Sequence, residues 1–267
     1  MKRYIAALCV CLMIICMAGI SGADRKETKE NLPRLIIGSD NYEPYNYLDD
    51  DGQPTGIDVE LAKLVCKQLG YTPVFQYIKW DKKDEYLDSG QVDCIWGSFT
   101  MNGREDLYQW AGPYLYSRQV VAVQSASGIK QLSDLKGKRI AVQVTTKPEE
   151  ILLERKDSKI PELETVYSMS AMEEIYASLR KGYVDAIAGH ESALDRFVQS
   201  APDLYVILDE ELYVSELGVA FEKDMHQDLA QKMTLVLKEM REDGTIQDIV
   251  EKYGLDSKKV LGVVNAE

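Results

Sequence analysis

Two short apolar stretches in this chain are each followed by residues suited to holding a small charged solute. After residues 92–96 come Ser98, Thr100 and Arg104; after residues 184–188 come His190 and Glu191. A guanidinium is planar and always charged, so Arg104 can make bidentate hydrogen bonds to a carboxylate, each worth roughly 1.5–3 kcal/mol. Ser98 and Thr100 offer hydroxyl or backbone donors beside it, or serve only as turn residues. His190 and Glu191 could do acid–base work or meet a cation.

The elements that must position these groups are near copies. SGQVDCIWG (residues 89–97) and KGYVDAIAG (residues 181–189) share Gly, Val, Asp, Ile and Gly in five of nine places, which indicates two lobes built to one plan. Each copy follows a helical segment. Each strand is therefore expected in a mostly parallel, helix-covered sheet, where ligands collect beyond the carboxyl ends of strands. The fold class is α/β, with two lobes around a ligand cleft. Extended segments at 119–123 and 213–221 are the two crossings, forming a hinge. Residues 34–119 with 218–267 are expected as one lobe and 120–217 as the other.

Lys2 and Arg3 precede an apolar run at residues 4–20 and Ser21-Gly22-Ala23. That is the pattern of a signal peptide ending at residue 23, and it predicts export. Cys16, late in the run, raises a lipid-anchored alternative. Removal of residues 1–23 takes the formal net charge from -13 to about -15 and leaves Cys66 and Cys94 of the five cysteines. So acidic an exported chain is a poor nucleic-acid binder. Cys66 and Cys94 read either as a bridge, which an oxidising compartment permits, or as two separate buried thiols.

Along the mature chain, residues 24–33 read as a charged, flexible leader. Residues 35–38 are a strand, followed by SDNYEPYNY, which places Asp40 and Tyr42 in a turn. DDDGQPTG lacks the spacing of a calcium-binding loop and reads as a solvated acidic turn. An amphipathic helix at 57–69 and a strand at 72–77 lead to Trp80 and a polar helix at 81–89. LYQWAGPYLYS carries more aromatics than a core needs, for packing or for lining the cleft. TTKPEEILLER starts a helix with Thr145 or Thr146 at its edge. Strands at 163–167 and 205–208 and helices at 171–181, 191–199 and from Leu229 onward complete the reading.

GIDVELAKLVCKQLG, GQVDCIWGSFTMNGRE with WAGPY, LSDLKGKRIAVQ, GYVDAIAG and MREDGTIQDIVEKYG occur in this order. Together they resemble the type II periplasmic or extracellular solute-binding proteins of ABC transporters, in the branch that binds polar amino acids. The resemblance implies that Arg104 holds a ligand carboxylate, with Ser98, Thr100 and Thr145 or Thr146 adding donors. It makes Tyr42 and Trp80 ligand-packing aromatics, or core residues. Three departures stand out: MNGR is a short turn, VQVTT lacks a glycine before the threonines, and His190 replaces the aspartate that takes the ligand's ammonium. Glu191 takes that role if the turn is rotated by one residue; otherwise His190 is structural, or the ligand presents no free ammonium there.

The implied protein is a monomeric receptor for an amino acid or related small carboxylate. It needs no cofactor or metal, and it delivers its solute to a membrane permease. Two other classes remain: a sensor for a membrane signalling partner, and an exported dehydratase or lytic enzyme. HExxH spacing and a nucleophile elbow are both missing.

Overall fold

The computed structural model describes residues 32–155 and 159–262. The signal peptide, Cys16 and most of the charged leader lie outside them. In chain order come β1 (Arg34–Ser39), the hairpin β2 (Tyr47–Leu48) and β3 (Pro54–Thr55), α1 (Ile57–Leu69), β4 (Thr72–Tyr77), α2 (Lys83–Asp88) and β5 (Cys94–Thr100). The long strand β6 (Gln109–Gln124) leads to β7 (Arg139–Gln143), α3 (Lys147–Glu154), β8 (Thr165–Met169), α4 (Met172–Arg180), β9 (Ala186–His190) and α5 (Glu191–Gln199). A second long strand, β10 (Tyr205–Phe221), returns the chain to α6 (Gln227–Glu242), α7 (Thr245–Lys252) and α8 (Ser257–Leu261).

Apart from the β2–β3 hairpin, the strands form one sheet in the order β4-β1-β5-β10-β6-β9-β7-β8. On one side β1 pairs in parallel with β4 and β5; on the other β7 pairs in parallel with β8 and β9. Between them β6 and β10 run antiparallel to each other and to the flanking trios. The duplicated motif has a physical role in this plan. Asp93 of the first copy accepts the Ile36 amide of β1 at 2.6 Å, and Asp185 of the second accepts the Arg139 amide of β7 at 2.9 Å. Each aspartate thus ties its strand into register with its neighbour, so both copies end facing the same seam.

The helices are amphipathic pieces laid on this sheet. α1 starts at Gly56, whose φ of 121° puts a hypothetical Cβ 2.2 Å from the Tyr45 carbonyl oxygen. Only glycine fits this close approach, and it brings Asp58 inward. Trp96 and Tyr114 are fully buried under the sheet, ring centroids 5.9 Å apart. Cys66 and Cys94 are buried free thiols. The acidic turn behaves as a turn: Asp49 Oδ1 accepts the amides of Asp51 and Gln53 at 3.0 and 2.8 Å.

Two expectations change. The crossings at 119–123 and 213–221 are parts of two long continuous strands. WAGPY, despite its Gly-Pro pair, lies inside β6 opposite a register shift near Leu217. The amide of Gly112 is satisfied by Thr234 Oγ1 at 3.1 Å. The polar helix at 81–89 is a single 3₁₀ turn at Trp80–Lys82 followed by the short α2.

Candidate functional site

β5 and β7 end at the seam between the two trios, and a crevice opens there. From the β5 side it is lined by Asp40, Tyr42, Trp80, Ser98, Thr100 and Arg104. From the β7 and β9 side come Gln143, Thr145, Thr146, Lys147 and His190, with Gln119 of β6 between. The lining encloses about 420 Å³ of non-atom space counted out to the mouth, of which about 20 Å³ admits the centre of a water molecule. In this arrangement the two sides are nearly shut.

Arg104 sits on the turn after β5 with its side chain 12% exposed. Its guanidinium donates to the Thr100 carbonyl and to Glu150 Oε2, each at 3.3 Å. Trp110 Nε1 donates to the Arg104 carbonyl at 3.0 Å, so the aromatic cluster of Phe99, Tyr108 and Trp110 fixes the arginine's turn. The guanidinium carbon also lies 5.7 Å from the Phe99 ring centre. Lys147, almost fully buried, reaches the other oxygen of Glu150 at 2.5 Å. Glu150 therefore bridges two cations, one from each side. A ligand carboxylate would compete with Glu150 for Arg104.

The crevice lining is unusual in its backbone at two places. Ser98 has φ 46° and Thr145 has φ 58°, a conformation that costs a non-glycine residue roughly 1–2 kcal/mol. A carboxylate holds each in place. Asp58 Oδ2 accepts the Ser98 amide at 2.7 Å, and Glu149 Oε2 accepts the Thr145 amide at 2.6 Å. Burial lifts the Asp58 carboxyl to about 6. The Ser98 amide and the Thr100 hydroxyl, which donates to Ser215 Oγ at 3.0 Å, are thus engaged within the protein. Thr146 donates to the Gln143 carbonyl at 2.6 Å.

Asp40 is 8% exposed, and its carboxylate accepts from Gln143 Nε2, across the crevice, at 2.5 Å. Burial raises its carboxyl to about 6, so it is ionised at neutral pH. Tyr42 accepts the His190 amide at 3.2 Å and meets its ring edge-on at 5.6 Å. Trp80 is packed edge-on to Phe99, and its Nε1, within the crevice wall, has no partner among the described residues.

His190 lines the crevice, but its imidazole is tied to the central strands. Nδ1 lies 2.9 Å from Ser117 Oγ and 3.0 Å from Gln119 Nε2. Burial drives its pKa down to about 4, so the ring is neutral and supplies no counter-charge to an ammonium. Its folded pKa lies below the ordinary 6.5. Its contribution to stability is accordingly complete above pH 6.5 and lost as the pH falls toward 4. Imidazole NMR is expected to show the His190 ring unprotonated from pH 8 down to 5; a titration midpoint near 6.5 would contradict this environment.

Glu191 does not join the crevice. It begins α5, where the chain turns away, and its carboxylate pairs with Arg118 at 2.6 Å and Lys259 at 3.7 Å on another face. The other nine residues singled out from the sequence all line the crevice. Sequence reasoning passed over Gln119, Gln143, Lys147, Glu150 and Asp58: Asp58 and Gln143 lie in two of the quoted motifs, and Lys147 and Glu150 in the charged KPEE start of α3, but as residue types they single out no chemistry.

Residues 35–256 match the family model described as bacterial extracellular solute-binding proteins, family 3. The L-cystine-binding protein TcyJ of Escherichia coli (strain K12) is 32% identical over 230 residues, covering 84% of each chain. A solved ancestral arginine-binding protein bound to arginine superposes with a TM-score of 0.73 at 27% identity, over 82% of this chain and 97% of the other. A solved ancestral amino acid-binding protein, a precursor of cyclohexadienyl dehydratase, gives 0.73 at 27% identity over 82% of this chain and 95% of the other.

Proposed function

Since the chain belongs to family 3 of the bacterial extracellular solute-binding proteins, we propose that its crevice captures an α-amino acid, with Arg104 on the carboxylate and Asp40 on the cationic group. The observation that carries this reading is the make-up of one crevice. A guanidinium from the β5 side, a buried ionised carboxylate and the turn of Thr145 and Thr146 from the β7 side converge on it. Asp40 takes over the charge that neutral His190 does not supply. Tyr42 and Trp80 pack on the ligand's apolar stem.

Entry requires movement, because the space open to water centres is about 20 Å³, enough for about one water. Residues 34–119 with 218–267 form one lobe and 120–217 the other, and bending of β6 and β10 opens and shuts them. The chain acts as an exported, monomeric receptor that passes its solute to an ABC permease. L-Cystine and L-arginine, which the relatives' names carry, are the first candidates.

A screen of the amino acids, including both of these, by thermal unfolding tests the reading. A ligand at 100 times its Kd adds about 2.7 kcal/mol, which for a chain of this size raises Tm by roughly 5–10 °C. Absence of any shift across the screen would count against it. One observation favours an enzyme as the second reading: a carboxyl at about 6 in a closed crevice is suited to proton transfer. Mass analysis of the bound compound separates the two, since a receptor returns it unchanged.

A further inference from the structure

Lys83, the first residue of α2, is 3% exposed, an unusual depth for a lysine. Its carboxylate neighbour, Asp84, is 3.8 Å away and mostly exposed. The ammonium instead lies 5.4 Å from the Trp80 ring centre and 5.5 Å from that of Phe99. Its hydrogen bond is to Thr145 Oγ1, at 3.0 Å. Lys83 belongs to the β5 side and Thr145 follows β7, so this bond crosses the crevice.

Thr145 is also where the backbone is strained. A β-branched residue at φ 58° is a rare outlier, and such outliers persist only where the surroundings hold them. Two groups do so: Glu149, from the same side, holds the amide, and Lys83, from the opposite side, holds the hydroxyl. The first hold survives opening of the crevice, whereas the second exists only when the sides are together. A glycine at this place would need neither.

We infer that Lys83 is a positioning residue for ligand capture, gripping Thr145 across the crevice and thereby coupling the strained turn beside Arg104 to closure. This rests on the reading that the crevice closes over an amino acid. In the open form the ammonium returns to water and the turn is free to relax. In the closed form the ammonium, flanked by two aromatic faces, locks the turn in the shape that meets the ligand. Lys83 acts through Thr145 and not by pairing with the ligand carboxylate, which is Arg104's part.

The test is a double-mutant cycle on Lys83→Met and Thr145→Ala. Methionine keeps the apolar stem between Trp80 and Phe99 and removes the charge. Each single variant is expected to weaken L-arginine or L-cystine binding about tenfold, chiefly through faster dissociation, and the double variant to be no weaker than either. Effects that multiply to about a hundredfold, or a Lys83→Met protein with unchanged affinity, would overturn the inference. A second readout needs no ligand. Spin labels at exposed Leu64 and Tyr183, one on each side, report the separation of the sides. Lys83→Met and Thr145→Ala should shift the distances of the free protein outward alike, and unchanged distances would contradict the coupling. Should no amino acid bind, the functional reading fails while this second arm still decides on Lys83.

Discussion

Replacing Arg104 with alanine is expected to weaken binding of L-cystine or L-arginine by at least about a hundredfold, with little change in the unfolding temperature of the free protein. The size follows from two charge-assisted hydrogen bonds at roughly 1.5–3 kcal/mol each, with every 1.4 kcal/mol worth about a factor of ten. The small effect on the free protein follows from what Arg104 touches. Glu150 keeps its partner Lys147 at 2.5 Å, and the bond to the Thr100 carbonyl is long at 3.3 Å. Isothermal titration beside a melting curve reads both quantities. Unchanged affinity would remove Arg104 from the site. A large fall in Tm would instead make it a structural residue of the β5 turn.

Asp40→Asn should act in opposite directions on binding and on stability. Removing the carboxylate strips the ligand's cationic group of its buried partner, a loss of about 3 kcal/mol or roughly a hundredfold in Kd. The free protein should gain stability. The Asp40 carboxyl is raised from 3.8 to about 6 by burial, against the lowering effect of the Gln143 hydrogen bond. In the folded state its ionised form is thus disfavoured relative to the unfolded chain. The cost is absent below about pH 3.8, builds up as the pH rises to about 6, and stays above that; the asparagine variant escapes it, by about 1–3 kcal/mol at pH 7. For the unaltered protein, amino-acid affinity should fall as the pH drops through about 6, because a protonated Asp40 no longer attracts a cation. In Asp40→Asn that pH dependence should vanish. Affinity that ignores pH between 7 and 5 in the unaltered protein would place the ligand's cation elsewhere.

The frame of this molecule is written locally, and for that reason it could be read. Residues 57–69, 72–77 and 191–199 carry apolar periods of a helix or a strand without interruption, and the structure has them at those bounds. The duplicated Val-Asp-x-Ile marks two equivalent strand junctions because its aspartates cap neighbouring strands. The place of WAGPY inside a strand was not legible, because a Gly-Pro pair locally favours a turn, while the strand it interrupts is held by twelve paired positions along β10.

The candidate site was legible where residue type dictates chemistry and opaque where partnership does. Arg104 follows from what a guanidinium can bind. Lys83, Lys147 and Glu150 look like any charged residues on solvated helices, and only the meeting of two distant segments buries the two lysines and sets Glu150 between Lys147 and Arg104. His190 and Glu191 show the same limit. Adjacent in sequence, they part at the junction of β9 and α5, one into the crevice and the other to Arg118.

The direct test of the whole account is a crystal structure with the amino acid that the unfolding screen selects. The account predicts a carboxylate in bidentate contact with Arg104 in place of Glu150, and the cationic group within hydrogen-bond reach of Asp40. A ligand bound elsewhere, or bound in the crevice with its carboxylate turned away from Arg104, would contradict it.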